Sequence, residues 1–220
     1  MSRAPTLYGK EALPRARSHT RFGPLIGGDL SLDLANTTDR HGDPGAADDL
    51  SPGYANVVDW FEYANVLDAQ QARRLLLVAG RNPRDAAAIR RRMVALREAT
   101  YAIVLAIIDG RDADADHLEM LNQEVAHAQG ARHLIARDSG LEWDWTAPIG
   151  LDRILWEASL AAERLLTSDR LARLRQCDAP ECQRVFLDTS RNGSRRYCTS
   201  TGCGAVERVR RFRDRQRPSD

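Results

Sequence analysis

The chain has 220 residues, 43% apolar and 29% charged, with a net charge of +1. That is enough apolar material for a packed core, so an intrinsically disordered chain is excluded. A membrane-spanning helix is excluded too, since the longest apolar run, Tyr101 to Ile108, falls far short of the ~20 residues required. Met1 to Lys10 carries no apolar signal segment, so the expected location is the cytoplasm.

The near-zero net charge conceals an asymmetry. Met1 to Leu174 has 21 basic and 25 acidic residues, whereas Arg175 to Asp220 has 11 basic and 6 acidic ones and all four cysteines. A basic end of this kind suits phosphate-bearing partners. Lys10 is the only lysine, so the placement of the arginines carries more weight than their number.

Residues 1–24 mix Pro, Gly, Ser and charge without periodicity and read as a flexible N-terminal arm. In Leu25 to Thr38, Leu30, Leu32 and Leu34 alternate as in a strand, though so short a run is ambiguous. His41 to Gly53 is a turn-rich loop. Helical spacing follows at Trp60, Phe61, Ala64 and Leu67. Asp68 with Gln71 forms a capping-box pattern for a helix that Gly80 is expected to end near Ala79.

Asn82-Pro83 opens a long helix to about Gly110, with an apolar stripe through Ile89, Met93, Leu96, Thr100, Ile103, Val104 and Ile107. A further helix is expected over about Asp114 to Gln129. His133 to Trp145 holds two alternating segments around Ser139-Gly140, a hairpin signal. Helical spacing returns at Leu151, Ile154, Leu155, Ala158, Ala161, Ala162 and Leu165, and Ser168 caps a last short turn through Leu174. The fold class is therefore mainly α with a small β-hairpin. A helical domain over 25–174 precedes a small module over 175–220.

That module contains Cys177-x4-Cys182-x15-Cys198-x4-Cys203. Two cysteine pairs across a short insert supply the four thiolates of a tetrahedral zinc site, with Val185-Phe186-Leu187 as a strand between them. Two disulfides or an iron–sulfur cluster are the alternatives; a reducing compartment disfavours the first. Four protein ligands leave no open position, so one structural zinc ion is expected.

Beyond Cys203, Val206, Val209 and Phe212 form a helical stripe expected to pack on the zinc module. Arg208, Arg211 and Arg215 share one flank of this basic C-terminal helix, and Arg210, Arg213 and Arg217 the other. Arg191, Arg195 and Arg196 add charge from the insert. Nucleic-acid contact is assigned to Arg195, Arg196, Arg208, Arg211 and Arg215.

Leu165 to Gly204 resembles the CGNR zinc-finger family. The run Cys182-x3-Phe186-Leu187-Asp188-Thr189-Ser190-Arg191-Asn192, with Arg195-Arg196-Tyr197-Cys198, carries the likeness. Leu30-Ser31-Leu32-Asp33-Leu34-Ala35-Asn36-Thr37 resembles the opening of the partner ABATE domain, described as a stress-induced transcription regulator. The resemblance implies zinc on the four cysteines, a sensing domain over 25–174 and a transcriptional role. One departure stands out: Ala205-Val206 follows Cys203-Gly204 where the family name implies Asn-Arg. If that pair contacts DNA in relatives, recognition here is altered; if it only braces the helix, little changes.

Other motifs carry less. Asp112, Asp114 and Asp116 imitate a calcium loop, but His117 stands where Gly is needed and Gln123 where Glu is, so they read as a helix N-terminus. His117, His127 and His133 form no metal set, and no nucleophile elbow or phosphate loop is present, so no enzyme is expected. Asp33, Asn36 and Thr37 either bond internally or line a ligand pocket walled by Trp60, Trp143, Trp145 or Trp156. The expected function is DNA-binding transcriptional regulation by a zinc module, with a ligand- or partner-sensing N-terminal domain. The alternative is a zinc-stabilised protein–protein interaction module. Expected partners are DNA, a small-molecule effector and a second copy of the chain; a membrane is not among them.

Overall fold

A computed structural model describes residues 22–43, 47–50, 52–138, 140–146 and 149–216. Most of the expected N-terminal arm, Ser139 of the hairpin turn and Arg217 lie outside them.

The segment that alternates like a strand is a helix, α1 (Leu30–Ala35). Asp29 caps it by accepting bonds from the Ser31 backbone N–H and hydroxyl at 3.1 and 2.8 Å. All six residues are buried, so the three leucines show no polar face to reveal the period. The chain enters α1 past Gly27, where a Cβ would lie 2.7 Å from the Leu32 Cβ.

α2 (Tyr54–Tyr63) buries Val57, Val58, Trp60 and Phe61. α3 (Ala69–Arg81) begins with the expected reciprocal capping box of Asp68 and Gln71. It runs straight through Gly80. What ends it is Asn82, driven out of helical geometry because it precedes Pro83. The Asn82 side chain then donates back to the Val78 carbonyl at 3.0 Å and leaves α4 without a side-chain cap.

α4 (Pro83–Ile108) is the central helix and buries Ile89, Met93, Leu96, Thr100, Ile103 and Val104. α5 (Ala115–Gly130) is capped by Asp114, which accepts from the Asp116 and His117 N–H groups. The hairpin β1 (Arg132–Arg137) and β2 (Gly140–Trp145) is antiparallel, pairing Leu134 with Trp143. It is anchored by Trp145, which stacks on Trp156 at 5.2 Å beneath the Arg153 guanidinium. α6 (Arg153–Leu166) returns through the bundle against α1, α4 and α5, burying Ile154, Leu155, Ala158, Ala161 and Leu165.

After a 3-10 turn over Asp169–Arg173, capped by Ser168, a second antiparallel hairpin forms. Its strands are β3 (Leu174–Gln176) and β4 (Val185–Leu187). β3 escapes pattern reading because three residues carry no period. Leu174, Val185 and Leu187 pack with Leu32, Ala35, Tyr101, Val104 and Leu165 in one cluster, so the small module shares core with the helical body. α7 (Cys203–Gln216) closes the described chain. No helix among the described residues is long and apolar enough to cross a membrane.

Candidate functional site

β3 and β4 lead into and out of the first cysteine loop. Inside it, Cys177 N–H donates to the Arg184 carbonyl and Cys182 N–H to the Ala179 carbonyl, both at 2.9 Å. The second loop is closed by Thr199, whose hydroxyl accepts from Gly202 N–H and whose carbonyl accepts from Gly204 N–H, each at 2.9 Å. The Cβ of any other residue at Gly204 would sit 3.0 Å from that carbonyl, so glycine suits the start of α7 there.

These turns bring the four Sγ atoms within 4.8 Å of one another. Cys182 and Cys198 are 3.8 Å apart at sulfur, matching the ~3.8 Å edge of a tetrahedron with ~2.3 Å metal–sulfur bonds. Cys182, Cys203 and Cys177 all hydrogen-bond to Cys198, and those bonds pull its thiol down to about 5. Cys182 is pushed the other way by the same contact and by burial. A bound divalent ion would let all four ionise together. The four cysteines can hold a metal ion.

The insert between the loops is organised by buried Asp188, a residue the pattern reading left without a role. Its carboxylate accepts from the Ser190 N–H and hydroxyl at 2.8 and 2.6 Å and from Arg195 N–H at 3.0 Å. The Ser190 bonds hold its carboxyl below the ordinary range. Arg195 is thereby turned inward. Its guanidinium lies 4.0 Å over the Phe186 ring and donates to the carbonyls of Cys198, Tyr197 and, across the seam, Ile26. Arg195, expected to contact nucleic acid, is committed to bracing the module. Arg196 is exposed and pairs with Asp178 at 2.6 Å. Arg208, Arg211 and Arg215 are exposed on α7, and donate to Ser200 O, the Tyr197 hydroxyl and Arg211 O respectively.

The apolar stripe of α7 departs from expectation. Val206, Val209 and Phe212 are 67, 50 and 56% exposed and face away from the zinc module. Gly204 and Glu207 take the packing side. Of the apolar residues on β3 and β4, Leu174, Val185 and Leu187 face the helical body, and Phe186 is taken up by Cys177, Cys198 and the Arg195 guanidinium.

Asp33, Asn36 and Thr37 are gathered at the domain seam, and all three line one cavity of about 200 Å³ with Trp60 and Arg184. Each also bonds internally. Asp33 Oδ1 accepts from Gly27 N–H at 2.7 Å, Asn36 pairs with the Val185 backbone, and the Thr37 hydroxyl donates to Leu34 O. Burial pushes the Asp33 carboxyl up to about 7 despite bonds from Gly27 and Ile26. Of the four tryptophans named as walls, only Trp60 lines this cavity. Trp143 is 56% exposed on the hairpin, and Trp145 and Trp156 are stacked on each other.

Two further ties were not visible in the sequence. Buried Arg97 grips Asp48 with two bonds of 2.8 and 3.0 Å and reaches Thr37. His41 stacks on Tyr101 at 3.4 Å, and the His41 N–H and Tyr101 hydroxyl both bond Gln183, next to Cys182. These contacts couple residues far apart in the chain, so local spacing holds no trace of them.

Residues 28–169 match the family described as "Putative stress-induced transcription regulator", ABATE. The chain belongs to the ABATE family. Residues 173–216 match the CGNR zinc finger, which follows in the order expected. The ABATE match runs from the turn before α1 to the 3-10 turn, and the zinc-finger match spans both cysteine loops and α7. No curated protein matches the chain.

Proposed function

We propose that this ABATE–CGNR protein is a DNA-binding transcriptional regulator that binds zinc and whose N-terminal domain receives a small effector. Cys177, Cys182, Cys198 and Cys203 hold one structural zinc ion, and Arg196, Arg208, Arg211 and Arg215 meet phosphates. The single observation that carries this reading is the placement of exposed arginines on α7 and the adjoining loop, on a module whose shape the four thiolates set. Ala205-Val206 leaves no polar pair at the start of α7, so affinity rests on phosphate contact more than on base reading. The protein binds and does not turn over a substrate.

The test is retention of the protein's own upstream DNA between ~50 and 200 mM salt. Binding that weakens steeply with salt is expected, and R208A/R211A should reduce the log–log salt slope by about 2. No retention at low salt overturns the reading.

The exposed stripe of Val206, Val209 and Phe212 favours a second reading, in which zinc fixes a docking surface for another protein or a second copy. V209S/F212S separates the two: DNA retention unchanged with self-association lost supports docking, whereas lost DNA retention places the stripe at the DNA.

A further inference from the structure

The cavity at the domain seam is built from five separate stretches. The stretch before α1 contributes Gly23, Pro24 and Leu25, α1 and the residues just after it Asp33, Asn36 and Thr37, and the following loop Asp39, Ala47 and Asp49. Trp60 comes from α2 and Arg184 from the first cysteine loop. At about 200 Å³ it lies below the ~300–1,000 Å³ of drug-sized pockets, so its occupant is small. Among the described residues its charged lining is the carboxyl groups of Asp33, Asp39 and Asp49 and the Arg184 guanidinium. Asp33 is 5% exposed, the most buried of the charged lining residues, and is fixed by the Gly27 N–H. Arg184 is held only loosely, 3.6 Å from Asp39.

We propose that this seam cavity is the effector site and that it takes a small organic cation of the amine or amidine class, anchored by the Asp33 carboxylate. This rests on the sensor role proposed above and names its site and ligand chemistry. A cation on Asp33 meets the Asp39 carboxylate and competes with Arg184 for it. The route to the zinc module is short. The Arg184 carbonyl accepts from Cys177 N–H, and its neighbour Val185 is clamped by Asn36, another lining residue. A cation that shifts Arg184 therefore acts directly on the first cysteine loop.

The chemistry predicts a pH signature. The charged or titratable groups around Asp33 are Asp29, Arg195, Tyr63, Asp39, Asp49 and Arg184, and burial keeps Asp33 partly protonated near pH 7. A cation selects the ionised form, so its binding expels a proton and tightens about tenfold between pH 6 and pH 8.

The test uses the full zinc-loaded chain and three molecules of one shape: acetamidinium, acetamide and acetate, carrying positive, zero and negative charge. Backbone amide signals are followed by NMR, and DNA retention is measured on the same samples. Saturable shifts at Gly27, Asp33 and Arg184 with acetamidinium, at least tenfold tighter than with acetamide and absent with acetate, are expected. D33N keeps an oxygen acceptor for Gly27 N–H and should abolish the preference for the cation. A47F, which narrows the cavity without touching a carboxylate, should weaken acetamidinium at least tenfold.

Equal binding of acetamide, cation preference surviving in D33N, or no saturable shift with any of the three overturns the site. If DNA retention is absent while the acetamidinium shifts behave as stated, the site stands and the regulator reading falls.

Discussion

Asn36 and Val185 lie 149 positions apart and hold each other by two bonds. The Asn36 Nδ2 donates to the Val185 carbonyl at 2.9 Å and its Oδ1 accepts the Val185 N–H at 3.0 Å. The amide acts as an extra strand partner for β4, on the edge opposite β3. No other side chain of its size offers both a donor and an acceptor in that geometry. Asn36→Ala should cost about 2–3 kcal/mol, because both backbone groups lose their partner in a part-buried seam. Urea titration checks it, with a loss under ~1 kcal/mol counting against the clamp.

Arg195 tests whether arginines in the insert read nucleic acid or hold the fold. Its position over Phe186 and its bonds to four backbone carbonyls, those of Ile26, Leu187, Tyr197 and Cys198, predict that Arg195→Ala lowers the melting temperature. Arg195→Lys should restore little of it, since an ammonium cannot reproduce the planar fork. The salt slope of DNA retention, measured where both variants are folded, should stay that of the parent.

Metal removal should act on one region first. If the four cysteines hold zinc as proposed, Cys198→Ser or a strong chelator should abolish that binding and open amide exchange over 177–216. The helices of the ABATE domain should keep most of the far-ultraviolet signal, because their core is built chiefly from α2 to α6. Uniform exchange across the whole chain would contradict this order of loss.

Glycines at two close approaches differ in what they tolerate. Gly27→Ala forces a Cβ to 2.7 Å from the Leu32 Cβ and 2.8 Å from the Asp33 backbone nitrogen, so a loss of about 2–3 kcal/mol is expected. Gly204→Ala meets one carbonyl oxygen at 3.0 Å and should cost less. Denaturant midpoints that reverse this ranking would refute the packing argument.

The pH dependence of stability has a definite sign. The folded pKa of Asp33 stands at about 7, above its unfolded value near 4, so the folded state binds the extra proton between those values. Its contribution to stability is therefore full below pH 4 and declines as pH rises to about 7. Asp33→Asn should remove that decline. Thermal melts of parent and variant across pH 4 to 8 should diverge as pH rises, the variant becoming relatively more stable.

What the residues determined alone is local in origin. The capping box at Asp68, the start of α4 at Asn82-Pro83, the helix start at Asp114 and the hairpin around Gly140 depend on neighbours a few positions away, and so could be read directly. The four cysteines were equally plain, because their spacing and chemistry allow few uses. Burial hid the rest. α1 is enclosed on every side, so no polar face betrayed its period, and Gly80 carried no positive φ to mark a helix end.

Tertiary structure decided which arginine braces and which is exposed, because that depends on Asp188, Phe186 and Ile26 meeting Arg195 across the seam. It also turned Val206, Val209 and Phe212 outward. The stripe has the right period for packing, but Leu174, Val185 and Leu187 pack on Leu32, Tyr101 and Leu165 while Phe186 packs on the cysteines, and periodicity cannot say which partner is already taken.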